Sequence, residues 1–185
     1  PPVPGLSGDV ITQVFNSVKE DYYPFNINVT TDPSRYNSAP VNRRMRVIFT
    51  TNNAAAPGSG GVALFGSFSQ TASLGLTSTV FCLVFPDPND GVDLLTTSAR
   101  EAAAHEAVQS FGLQHDGTQA PGQSYVDYYK GQGSGPTSWS PIMGASYYTS
   151  ISQWCKGEYQ DAAKPPGVGK QDEVALIAGN PGARA

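Results

Sequence analysis

The sequence predicts an α+β domain, and three observations on the 185-residue chain lead to that prediction. Apolar residues recur at helical spacing between residues 9 and 22. Four strand-like segments follow before residue 86, and an alanine-rich helix comes next. From residue 116 onward, glycine, proline and aromatic residues dominate. We therefore expect one domain of two lobes, an upper lobe of about residues 1–115 and a lower lobe of about residues 116–185.

The upper lobe is predicted to begin with an amphipathic helix over residues 9–22 and to continue with four strands. "PFNINVTT" (24–31) alternates apolar and polar residues with the period of a half-buried strand. "RRMRVIFTT" (43–51) and "GVALFGSF" (61–68) predict two further strands. "STVFCLVF" (78–85) is apolar throughout, which is typical of a central strand covered on both faces.

The next helix is the best defined of the chain, and it runs through "AREAAAHEAVQSF" (99–111). Ser98 and Glu101 have the spacing of a capping box at its start. Gly112 supplies the stop at its carboxyl end, because glycine readily adopts the left-handed conformation that ends many helices.

The lower lobe is predicted to contain few regular elements. "SISQWCKGEY" (150–159) predicts a short helix, and "KQDEVALIAG" (170–179) predicts a final one. The residues between 116 and 149 are mostly turn formers and aromatics, so a loop-rich lobe is expected there.

Composition indicates which classes of binding partner are disfavoured and in which compartment the protein acts. The net charge is −4 and no basic run is present, which argues against nucleic acid and anionic membranes as partners. No apolar stretch approaches the ~18 residues of a membrane span. Charged residues make up only 14% of the chain, a composition common in secreted proteins. We expect an extracellular monomer, and because the amino-terminal residues lack a signal-peptide pattern, any leader would already be missing.

The stretch "HEAVQSFGLQHD" (105–116) contains both histidines of the chain. Residues four apart share one face of a helix, so His105 and Gln109 are expected to project side by side. Gly112 allows a sharp turn, after which His115 can swing back toward the same point. A helical HExxH pattern holds zinc through its histidines, and HExxHxxGxxH adds a third ligand. The chain fits the longer pattern at every position except Gln109.

The sequence resembles the metzincin zinc metalloproteases, in particular secreted bacterial metzincin-like enzymes, over nearly its whole length. "GLQHDG" is similar to the family's GLxHDG, and "SPIMG" (140–144) is similar to the methionine-containing turn beneath the metal. The order of helices and strands is also similar. The resemblance implies a twisted, mixed, mostly parallel sheet with the active-site helix in the upper lobe. It implies a loop-rich lower lobe with a carboxyl-terminal helix.

The resemblance also implies a role for each matching residue. The zinc ligands would be His105, Gln109 and His115. Glu106 would be the general base that activates the attacking water and passes its proton to the leaving amine. Met143 would form the floor of the site. The implied activity is a zinc-dependent endopeptidase acting on an extended peptide or protein substrate, which would pair with the edge strand predicted at residues 61–68.

Three further residues belong to this prediction. Tyr147, or its neighbour Tyr148, would help to stabilise the oxyanion, as a tyrosine does in some relatives. Cys82 lies on the strand before the active-site helix and Cys155 follows the methionine turn. We expect a disulfide between them that joins the lobes; two buried free thiols are the alternative.

Gln109 leaves three interpretations open, because an amide oxygen is a weaker zinc ligand than an imidazole nitrogen. Gln109 ligates weakly in an enzyme that remains active, or Asp116 replaces it as a charged ligand. In the third interpretation the site holds no metal, and the domain is an inactive pseudoprotease that binds peptides or proteins.

Overall fold

The computed structural model describes residues 6–87, 89, 91–167 and 169–180, and these residues form an α+β protein with small sheets and five α-helices. They divide into two compact units. Among the described residues, the first unit extends to Gly112 and also includes residues 179–180, and the second comprises Leu113–Ala178.

The first helix of the first unit agrees with its predicted bounds. Its apolar stripe, Val10, Val14 and Val18, is buried, and the side chain of Ser7 accepts a hydrogen bond from the Val10 amide at 3.3 Å. Just after this helix, the Tyr22 hydroxyl donates to the Ala104 carbonyl at 3.0 Å. The α-helices of this unit are α1 (Gly8–Asp21), α2 (Pro33–Ser38), α3 (Ser67–Leu74) and α4 (Val92–Phe111).

The sheet of the first unit has three strands in the order β1-β3-β2 within the described residues. These strands are β1 (Met45–Phe49), β2 (Gly61–Ala63) and β3 (Val80–Val84). β1 runs parallel to β3, whereas β2 runs antiparallel to it. The sheet is therefore mixed, with one parallel and one antiparallel pairing, and not the mostly parallel sheet that was expected. β2 lies at its edge, as predicted for that segment.

The strand predicted over residues 24–31 is wrong. Turn residues follow α1, and no strand is assigned between residues 22 and 32. This segment lines a cavity of about 1080 Å³, together with residues of α1 and β1. A strand must pair its backbone N–H and C=O groups with a neighbour. The segment faces the cavity instead of a partner strand, so its alternating pattern does not produce a strand here.

Two other strand predictions are only partly confirmed. The segment predicted at residues 61–68 is a strand only as far as Ala63, and its last two residues begin α3. β3 is central, but only one of its faces is buried: Cys82 and Val84 are almost fully enclosed, while Phe81 is 50% exposed. The prediction that this strand is covered on both faces is therefore wrong. α4 packs against β3 and also against α1.

α4 starts earlier than the capping box predicted. The helix begins after Gly91, so Ser98 lies in its interior and its hydroxyl donates to the Leu94 carbonyl. Glu101 contacts the Arg100 side chain instead of reaching back to an amide at the helix start. The predicted end is confirmed, because Gly112 adopts a left-handed conformation with φ of 100° and its amide donates to the Gln109 carbonyl at 2.9 Å.

The second unit has short elements joined by long loops. β4 (Gly117–Thr118) pairs antiparallel with β7 (Ala162–Ala163), β5 (Trp139–Pro141) pairs parallel with β6 (Ile151–Gln153), and α5 spans Glu173–Ala178. The final helix is therefore confirmed. The prediction of a short helix at residues 150–159 is wrong, because Ile151–Gln153 pairs with β5 as a strand, and this tertiary pairing overrides local helix preference.

None of the helices in the described part of the chain combines the length and hydrophobicity that crossing a membrane requires.

Candidate functional site

The α4 part of the candidate site brings His105 and Gln109 together, as their spacing predicts. One helical turn apart, the His105 Nε2 atom and the terminal amide nitrogen of Gln109 are separated by 3.2 Å. Rotating the amide by half a turn places its oxygen at the same position. His105 is buried, with 6% of its surface exposed, and Gln109 is half-buried. The ends of the His105 and Gln109 side chains therefore meet on one face of α4.

This separation suits a shared zinc ion. Zinc ligands lie ~2.0–2.1 Å from the metal in a tetrahedron, which places any two of them about 3.3 Å apart. The 3.2 Å separation of the His105 and Gln109 side-chain ends is close to that value. The distance is that of a hydrogen bond between the amide and the imidazole, and it is also compatible with two corners of a zinc site if the amide presents its oxygen.

Glu106 follows His105 on α4 and has one buried side-chain oxygen without a hydrogen-bond partner in the described part of the chain. Its Oε2 atom is buried and has no hydrogen-bond partner among the described residues, and only 7% of Glu106 is exposed. Burial raises the pKa of its carboxyl group to about 7. A Cβ added at Gly61 of β2 would lie 2.6 Å from Glu106 Cγ, so a glycine is needed for β2 to approach the carboxylate. Burying a charged carboxylate oxygen without a hydrogen-bond partner is unfavourable, which is why burial shifts the pKa of Glu106 upward.

The predicted disulfide is not formed, because Cys82 and Cys155 are free, buried thiols. Burial and the nearby Glu106 raise the pKa of Cys82 to about 12. Cys155 is engaged within the second unit, where its Sγ donates to Asp116 Oδ2 at 3.1 Å. Both sulfur atoms are thus enclosed in their own surroundings, which corresponds to the alternative of two free thiols.

In the second unit, His115 is held by polar and aromatic contacts. Its Nδ1 atom lies 3.0 Å from Asp127 Oδ2 and 3.2 Å from Oδ1. The Tyr125 hydroxyl donates to Asp127 Oδ1 at 2.8 Å, and the Tyr128 ring lies 4.2 Å from the imidazole, centroid to centroid. Burial and the Asp127 carboxylate raise the pKa of Tyr125, so its hydroxyl remains a donor. Asp127 could not be predicted, because nothing in the local sequence pattern marks an acceptor 12 residues after the histidine.

The methionine turn is formed next to His115. The Gly144 amide donates to the Pro141 carbonyl at 3.0 Å and closes the turn, with Met143 fully buried in it. The Asp116 amide donates to the Met143 carbonyl at 2.8 Å, so the turn contacts the backbone beside His115. Tyr147 follows in a short 3-10 turn and is half-buried, whereas the adjacent tyrosine is 86% exposed.

A second group of potential ligands lies in the same unit and was not predicted. Asp116, Cys155 and Glu173 are buried, and each offers a ligand atom within 4.8 Å of the others. The Cys155 amide donates to Glu173 Oε2 at 2.6 Å, and Glu173 Oε1 has no hydrogen-bond partner among the described residues. Burial raises the pKa of both Asp116 and Glu173. The Asp116 carboxyl group therefore faces this cluster, which argues against its use as a replacement for Gln109.

The predicted residues thus fall into two sets. His105, Glu106 and Gln109 are in the first unit, and His115, Met143 and Tyr147 are in the second. The predicted contact between His105 and Gln109 is present, and the convergence of the two sets on one ion remains a prediction. Comparisons with protein-family models, curated proteins and solved structures find no match to this chain.

Proposed function

We propose that the chain is a zinc-dependent endopeptidase with an altered ligand set of His105, Gln109 and His115. The observation that supports this proposal most strongly is the 3.2 Å separation between His105 Nε2 and the Gln109 amide, which matches two ligands of one tetrahedral ion. The metzincin resemblance suggests His115 as the third ligand. On this proposal the three-stranded sheet and α4 correspond to a metzincin upper lobe.

Each residue of the proposed site would have its own role in peptide hydrolysis. Zinc, when bound, would polarise the scissile carbonyl and lower the pKa of water. Glu106 would accept the water proton on its buried, unsatisfied Oε2 and transfer it to the leaving amine. Met143 would support the floor, and Tyr147 would donate a hydrogen bond to the developing oxyanion. An extended peptide would pair with the free edge of β2, which is an edge strand in the described sheet.

Gln109 itself favours one alternative, a catalytically inactive pseudoprotease that binds peptides or proteins. A neutral amide oxygen is a poorer zinc ligand than imidazole, so zinc affinity should be lower than with three histidines. The fold and the β2 edge would still provide a surface for an extended peptide, but Glu106 would have no activated water to deprotonate.

We also propose that the protein acts outside the cell as a monomer. The support is compositional: charged residues make up only 14% of the chain, and the acidic balance of −4 disfavours nucleic acid and anionic membranes as partners. Fractionation of a native host with an antibody to this chain, and light scattering of the pure protein, test these two statements.

Measuring zinc content distinguishes the zinc endopeptidase from the inactive pseudoprotease. The protein, purified without added metal and then dialysed against zinc, should retain about one zinc per chain by elemental analysis. It should also cleave a mixed peptide library, and 1,10-phenanthroline should abolish the cleavage. A protein that retains no zinc, yet binds library peptides, would establish the pseudoprotease.

A further inference from the structure

We propose that Asp127 is a positioning residue for His115: its carboxylate keeps the imidazole proton on Nδ1, which makes Nε2 the nitrogen that ligates a metal ion. The proposal deepens the proposed function and rests on it for the identity of the metal. The orientation of the imidazole is argued only from contacts within the second unit.

The hydrogen-bond partner of His115 indicates which ring nitrogen carries the proton. His115 Nδ1 lies 3.0 Å from Asp127 Oδ2 and 3.2 Å from Oδ1. An ionised carboxylate only accepts hydrogen bonds, so the nitrogen that faces it must carry the proton. In a neutral imidazole the lone pair then resides on Nε2, which is the form that a metal ion needs. Histidine ligands in metal sites commonly donate their other N–H to a carboxylate in this manner.

Two tyrosines fix the partners in place. The Tyr125 hydroxyl donates to Asp127 Oδ1 at 2.8 Å and limits rotation of the carboxylate. The Tyr128 ring lies against the imidazole at a centroid distance of 4.2 Å and an interplanar angle of 33°. Tyr128 has a φ of 61°, in the left-handed region that non-glycine residues seldom adopt. The backbone at Tyr128 is therefore held in a costly conformation at the residue whose ring lies tilted against His115.

Stability alone does not account for this arrangement. The Asp127 side chain is 42% exposed, and the His115 side chain is 19% exposed. Pairs with so much solvent contact contribute only ~0–1 kcal/mol to folding. What the three contacts do achieve is to restrict the ring to one orientation and one tautomer, which is what a metal ligand requires.

The test measures the tautomer directly, by ¹⁵N NMR of the imidazole nitrogens in the metal-free protein at a pH where His115 is neutral. The chain has only two histidines, and His105→Gln assigns the two sets of signals. The variants are Asp127→Ala, which removes the acceptor, and Tyr125→Phe, which only frees the carboxylate. Asp172→Asn is the matched control: it removes a carboxylate that is 44% exposed and pairs with Lys156 at 3.8 Å in the same unit, while the asparagine oxygen can still accept from the Ala175 amide.

In the parent we expect the His115 proton on Nδ1, and in Asp127→Ala we expect that preference to be lost. Zinc Kd, measured by competition with a chelator, should rise by about 10–100-fold in Asp127→Ala. Tyr125→Phe should show smaller changes in the same direction, and Asp172→Asn should leave both readouts unchanged.

Two results would overturn the positioning role: a parent protein with the His115 proton on Nε2, or an Asp127→Ala variant that binds zinc as tightly as the parent. A parent that shows the Nδ1–H tautomer but binds no zinc would instead overturn the proposed function and the ligating role together. The tautomer measurement thus separates the two failures.

Discussion

Replacing Gln109 with histidine tests the altered ligand set at a single side chain. His105 Nε2 already lies 3.2 Å from the end of the Gln109 side chain, close to the ~3.3 Å between two ligands of a tetrahedral zinc. The far nitrogen of a histidine at position 109 can occupy about the place of that amide end. The backbone should be unaffected, because the Gln109 carbonyl keeps its bonds from the amides of Gly66 and Gly112, at 3.0 and 2.9 Å.

The expected gain in zinc-binding free energy is large compared with the expected loss of helix stability. Exchanging a neutral amide oxygen for an imidazole should tighten zinc binding by about 100-fold or more, which is about 2.7 kcal/mol. Histidine is a weaker helix former than glutamine, and this costs a few tenths of a kcal/mol. At saturating zinc the variant should therefore unfold about 5–10 °C above the zinc-loaded parent.

Calorimetry with and without zinc, a chelator competition assay and hydrolysis of a peptide library measure these effects. Gln13→His is the matched control, since Gln13 is exposed on α1 and the new imidazole has no histidine one turn away. If Gln109→His binds zinc no more tightly than this control, His105 and position 109 do not share an ion, and the altered-site hypothesis is refuted.

Three other predictions follow from the first unit. In the Gln109→His background, Glu106→Gln should reduce hydrolysis by about 10²–10⁴-fold while zinc content stays the same, because it removes the base and no ligand; a loss of zinc would contradict that role. Gly61→Ala should lower the free energy of unfolding in urea by about 1–3 kcal/mol, because its Cβ would lie 2.7 Å from the Leu83 carbonyl, whereas Gly8→Ala adds a Cβ with no atom within 4 Å and should not destabilise. Burial, followed by the charge of Glu101, raises the pKa of Asp21 from 3.8 to about 7. The folded state then holds a proton that the unfolded state releases, so this contribution to stability is present below about pH 4 and is lost as the pH rises to about 7. In Asp21→Asn, the free energy of unfolding should fall by about 2 kcal/mol less between pH 4 and pH 7 than in the parent, after allowance for solvent screening. If the free energies of unfolding of the two proteins change with pH in parallel, Asp21 is not buried as described.

The parts of the fold that could be predicted are those that depend on local pattern. The apolar stripe of α1 and the apolar run of β3 appear in the sequence with the period or the length of the element. Gly112 ends α4 because a left-handed residue is needed there, and glycine is the residue that adopts this conformation most easily. The contact between His105 and Gln109 follows from helix geometry alone.

The parts that could not be predicted depend on which segments meet. Residues 24–31 have a strand pattern, but a strand needs a partner, and the segment faces a cavity instead. The Ser98–Glu101 spacing suggested a helix start, yet α4 already begins at Val92, six residues before Ser98. Asp127 and Glu173 are brought to their contacts by loops of the second unit, and loop conformation has no simple signature in the sequence.

The available donors explain why one position should decide the metal chemistry. Both histidines of the chain lie in residues 105–115. Cys82 is a buried free thiol, and Cys155 belongs to the separate group with Asp116 and Glu173. The Asp116 carboxyl group faces Cys155 and Glu173. A zinc ion held by two imidazoles would therefore depend on the Gln109 oxygen for its third protein ligand. A substitution at position 109 should for this reason change zinc affinity more than one at Asp116, and a larger effect at Asp116 would reverse this assignment.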